Sequence, residues 1–129
     1  MFIDFLTKEE QNIYLSLAIE IIKVDGKVDD KELKKIKSIT QQISHSKEPI
    51  SNKDYDLSTL NNSLSSKKII LTELIGICYI DGDYCEKEKE FIKELAIKIN
   101  IIDSLEEIEE WVLCQVKQVI KGFDLINKD

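Results

Sequence analysis

Two stretches of one pattern organise the chain: Asp25-Gly26-Lys27-Val28-Asp29-Asp30-Lys31-Glu32, and again Asp81-Gly82-Asp83-Tyr84-Cys85-Glu86-Lys87-Glu88. In both, an apolar run enters an Asp-Gly pair and a Glu follows six residues after the glycine. At an offset of 56 residues, Ile19 aligns with Ile75, Ile21 with Ile77, Asp25 with Asp81, Gly26 with Gly82, Lys31 with Lys87, Glu32 with Glu88, Ile36 with Ile92 and Ile43 with Ile99. This reads as a duplicated helix-turn-helix unit. Glycine, lacking a Cβ, suits the left-handed residue that ends a helix. Asp29 and Glu32 then have the chemistry to cap the helix that restarts the chain.

Working outward, Thr7-Lys8-Glu9-Glu10 has capping-box spacing, and Ile13, Tyr14, Leu17, Ile21 and Val24 recur at helical period, predicting a first helix over about 8–24. A second, from about residue 29, carries Leu33, Ile36, Ile39 or Thr40, and Ile43. Residues 44–56, with Pro49 and many small polar groups, read as a connection. Leu57, Leu60 and Leu64 suggest a short helix, with Ser65 or Ser66 capping the next. The segment from about 66 to 80 is apolar round most of its circumference and belongs at the centre. Its Gly76 invites close approach by a neighbouring helix. A fifth helix carries Phe91, Ile92, Leu95, Ala96 and Ile99, and Asn100 is placed to end it. Ser104 to Glu107 repeats the capping-box spacing and opens a last helix, with Leu105, Ile108, Trp111, Val112, Val116 and Val119 inward, Gly122 as its stop and Phe123 docked at the start of a short tail. The expectation is all-α: one domain over 1–129, a bundle of about six helices built from two duplicated hairpins.

A chain of 129 residues with 43% hydrophobic and 33% charged residues, four glycines and one proline suits a helical globule. A net charge of −7 and a pI near 4.8 repel a phosphate backbone, so nucleic acid is not an expected partner. Cys78, Cys85 and Cys114 form no CxxC pair and no zinc spacing with the lone His45, which points to a reducing compartment. No apolar run reaches a membrane span, and the first residues lack a basic leader, so the expected location is cytoplasmic, with membrane association only through a partner.

The Asp-Gly stretches match the latter half of an EF-hand loop, but the first two ligand positions fall on Ile21 and Lys23 in one copy and on Ile77 and Tyr79 in the other. An EF-hand is excluded on those residues. Two readings stay open. Each stretch is a tight turn between capped helices, or its acids also hold a divalent cation, weakly. The candidate ligands are Asp81, Asp83, Glu86 and Glu88, with Asp25, Asp29 and Glu32, for calcium, magnesium or zinc. Cys85, at a helix start, is a redox candidate opposed by the acids around it. No phosphate-cradling loop or nucleophile-base pattern is present, so no enzyme activity is expected.

The two units resemble the TerB-like family, the helical tellurite-resistance domain. One match runs from Leu17-Ala18 through Asp25-Gly26-Lys27-Val28 to Glu32; the other runs from Ile77 through Asp81-Gly82-Asp83-Tyr84 to Glu88 and on into Phe91-Ile92-Lys93-Glu94-Leu95-Ala96. The resemblance covers about half the chain. It departs from the pattern at Cys85, where the first copy has Asp29, and at Lys23 and Tyr79, where small residues commonly precede the turn. It implies an acidic all-α bundle with a divalent-cation site at the turns, in proteins linked to metal stress and membrane-associated complexes. The functional expectation is a protein-interaction module with an unidentified protein partner. The alternatives are a dedicated metal-binding stress protein and a Cys85 redox switch.

Overall fold

The computed structural model describes residues 2–24, 34, 56–79 and 84–128, apart from the side chain of Asn62. Among these residues all regular structure is helical. Four α-helices, α1 (Lys8–Ile22), α2 (Leu64–Tyr79), α3 (Glu86–Lys98) and α4 (Leu105–Asn127), are accompanied by 3-10 turns at Ile3–Phe5, Leu57–Asn62 and Ile102–Ser104. The all-α expectation is met. The helix expected from residue 29 lies outside the described residues except for Lys34, which is helical and exposed.

Local chemistry starts α1 as its sequence suggests. The Glu10 N–H donates to Thr7 Oγ1 at 3.2 Å, and the Thr7 N–H donates to Glu10 Oε1 at 2.8 Å, so two otherwise orphaned donors are satisfied together. The helix then carries Ile13 to Ile22 with Glu20 as its single charge over that span, and buries residues on all sides, Leu15, Ala18, Ile19 and Ile22 as well as Ile13, Tyr14, Leu17 and Ile21 of the expected stripe; it ends at Ile22, so Val24 lies beyond it and is half-buried. A helix apolar round its circumference has no face to give to water.

Helix α2 is central as expected, packing against α1, α3 and α4. Ile70, Leu71, Leu74 and Ile75 are fully buried. Its start is two residues earlier than the serines suggest: Ser63, not Ser65 or Ser66, takes the capping role, its Oγ accepting the Ser66 N–H at 3.1 Å. Among the described residues a Cβ built on Gly76 meets nothing within 4 Å. Gly76→Ala is therefore expected to stabilise the fold by up to about 1 kcal/mol through helix propensity, read as a higher denaturation midpoint. A lower midpoint would show that the space beside Gly76 is occupied.

Helix α3 closes as its sequence suggests. Asn100 stands at φ 63°, the Asn100 N–H donates to the Ile97 carbonyl at 3.1 Å, and the Ile101 N–H donates to the Ala96 carbonyl at 2.9 Å. Those two bonds satisfy carbonyls that the helix end would leave open. The start of α4 differs from expectation. A 3-10 turn leads straight into it, and the Ser104 side chain makes no capping bond. Gly122 does not end α4 either; the helix continues to Asn127.

The N-terminal segment ties the helices together. Ile3 and Leu6 are buried, Gln11 Nε2 donates to the Ile3 carbonyl at 3.2 Å, and the Phe2 N–H donates to Glu73 Oε1 on α2 at 2.6 Å. The Phe2 ring also lies 5.8 Å from that of Trp111 on α4. No described helix is long and apolar enough to cross a membrane.

Candidate functional site

Of the acids read as cation ligands, Asp25, Asp29, Glu32, Asp81 and Asp83 lie outside the described residues, as does His45. Glu86 and Glu88 both open α3 and do local work there. Glu88 Oε1 accepts the Cys85 N–H at 3.0 Å, the reach-back half of a capping box. Glu86, exposed, lies 3.7 Å from Lys89 Nζ, a surface pair that contributes little. Among the described residues no three His, Cys, Asp or Glu side chains converge as metal ligands. Cys85 is half-buried at the α3 N-cap, Cys78 is buried with its thiol donating to the Leu74 carbonyl at 3.3 Å, and Cys114 is exposed; no disulfide joins them.

The described flank of the second turn is held by a residue that the turn pattern treats as merely apolar. Tyr84 donates its hydroxyl to Glu109 Oε2 on α4 at 2.7 Å, sets its ring 5.3 Å from that of Tyr79 at the end of α2, and lies under Lys89 Nζ at 5.5 Å. One side chain thus joins three helices. Burial pushes the Tyr84 phenol well above its usual range, and the hydrogen bond to Glu109 adds to the shift. Tyr14, in the core, is raised in the same way by burial, then by the Glu73 carboxylate and by Cys78. Neither partnership has a local signal in the sequence, since Tyr84 and Glu109 are 25 residues apart.

Helix α4 holds the other unexpected feature. Its 23 residues span about 34 Å at 1.5 Å per residue. The first half docks: Leu105 and Val112 are buried, Ile108 and Val116 pack against the core, and Glu109 holds Tyr84. Trp111, read from the sequence as inward, is 41% exposed and covered on one side by Phe2. Beyond Val116 the docking stops. Val119, also expected inward, is 57% exposed, Ile120 55%, Phe123 61% and Ile126 79%. Phe123 therefore stays within the helix and does not dock.

At 100° per residue, Val112, Val116, Val119, Phe123 and Ile126 fall in one line, while Lys117, Lys121, Asp124 and Lys128 fall on the opposite side. The apolar stripe that anchors the first half of α4 thus runs on, uncovered by any described residue, for about three more turns. Comparison with family models, curated proteins and solved structures finds no match to this chain.

Proposed function

We propose that this chain is a small helical docking protein whose working surface is the outer half of α4, from Val119 to Ile126, and that it acts by binding another polypeptide. The observation that carries this reading is the uncovered apolar stripe. A solvated helix gains nothing from aligned Val, Phe and Ile side chains, and contiguous apolar patches on soluble domains commonly mark contact sites. The N-terminal segment and the Tyr84–Glu109 bond fix the inner half of α4 to the body, which would hold the outer half at a set angle.

The repeated Asp-Gly units support three further parts of this proposal: TerB-like kinship through two duplicated hairpins, weak divalent-cation binding at the turns, and a link to metal or tellurite stress. The matched pairs Ile19/Ile75 and Ile21/Ile77 are buried in both copies, as a duplication would have them.

A photo-crosslinking amino acid built on the phenylalanine frame, benzoylphenylalanine, tests the docking surface in cells when placed at Phe123 and, separately, at Lys117 on the polar side. The expected result is a discrete crosslinked species from position 123 and none from 117. Equal capture from both positions, or none from either, would remove the reading.

A further inference from the structure

We infer that the polypeptide covering the α4 stripe is the same stripe of a second copy, two outer halves of α4 pairing antiparallel about a two-fold axis. This rests on the docking reading above and commits it to one occupant. The spacing points to a helix as partner. Val112, Val116, Val119, Phe123 and Ile126 follow one another at four, three, four and three residues, the 3.5-residue repeat that lets two helices keep a common seam.

The seam also carries no charge. Its flanks are Gln115, Ile120, Gly122 and Asn127, with the lysines and Asp124 turned away, so an identical stripe can meet it without burying an ion. Among the described residues a Cβ on Gly122 would meet nothing within 4 Å, so this edge of the helix has room for a close neighbour.

Area and charge agree with this occupant. Each of the four uncovered side chains presents on the order of 100 Å², so two copies with their flanking residues close roughly 1,000 Å², the lower edge for specific pairing, and the dimer is expected in the micromolar range. Residues 115–129 hold Lys117, Lys121 and Lys128 against Asp124 and Asp129, a net +1, which leaves −8 of the total −7 on the rest of the chain. Pairing through this end, with the bodies directed apart, brings together the least repulsive surfaces. The same negative total disfavours an anionic lipid surface as the occupant.

Analytical ultracentrifugation of the full chain tests the inference. The sedimenting mass should rise from 14.9 kDa towards twice that value across the micromolar range, and small-angle scattering of the heavier species should show two separated lobes. The double variant Phe123→Glu, Ile126→Glu should stay at monomer mass with its circular dichroism melt retained, and Lys121→Glu, on the polar side, should still dimerise. A wild-type chain that stays monomeric throughout the range, or a double variant that dimerises like wild type, overturns the inference. So does a monomer that instead co-sediments with phosphatidylcholine–phosphatidylglycerol vesicles. The crosslink at position 123 separates this failure from failure of the docking reading: an adduct whose added mass is not that of this chain leaves docking standing and removes the second copy.

Discussion

Leu74→Ala should destabilise the protein by about 3–5 kcal/mol, enough to remove a large part of the 5–15 kcal/mol that holds a typical domain folded. Leu74 is fully buried in α2, the helix that packs against the other three, so the cavity left by the truncated side chain is walled by several elements and cannot close by a shift of one. Leu125→Ala supplies the contrast. Leu125 is 74% exposed on the polar side of α4, and its truncation should change stability by no more than about 0.5 kcal/mol. Thermal or denaturant unfolding of the two variants side by side checks the placement of α2. Equal losses would mean that α2 does not occupy the centre.

That placement was readable from residues because α2 is apolar on nearly every side, a property of the segment alone. The Thr7–Glu10 box and the left-handed Asn100 were readable for the same reason: both rest on contacts within a few residues of one another. Where the reading failed, the deciding contact was distant. Trp111 is 100° round α4 from Val112, outside the stripe that docks, and its exposure follows from that. Val119 does lie on the side of Val112. Period alone, however, does not say how far the body extends along a helix, and here the packing ends near Val116. Gly122 looked like a stop because glycine costs about 1 kcal/mol within a helix, a penalty the continuing hydrogen-bond ladder outweighs. Ser104 had the right spacing for a cap, but a 3-10 turn arriving from Ile102 leaves its side chain without that bond. The candidate site shows the same division. Glu88 as a cap follows from its spacing to Cys85, whereas the Tyr84–Glu109 bond joins helices that only the fold brings together.

Raising the pH past about 10 should destabilise the protein through its tyrosines. Tyr14 and Tyr84 both have phenols whose ionisation is pushed above the usual value near 10, Tyr14 first by burial and then by Glu73 and Cys78, Tyr84 first by burial and then by its bond to Glu109. In the unfolded chain both ionise near pH 10, while in the folded chain both keep their protons to higher pH. The folded state therefore binds more protons above pH 10, and stability that is fully present below that point is lost as the pH climbs. For Tyr14, 1% exposed, the slope approaches about 1.4 kcal/mol per pH unit, so a rise to pH 12 costs over 2 kcal/mol. Tyr84 adds a smaller amount because solvent reaches and screens it. Denaturant midpoints measured at each pH from 8 to 12 should be level to about pH 9.5 and then fall. Tyr14→Phe should flatten most of that fall and Tyr84→Phe a lesser part, with absorbance near 295 nm showing the Tyr14 phenolate appearing only as the protein unfolds. An unchanged slope in Tyr14→Phe would place the alkaline sensitivity elsewhere and undercut the assignment of Tyr14 to a closed core flanked by Glu73.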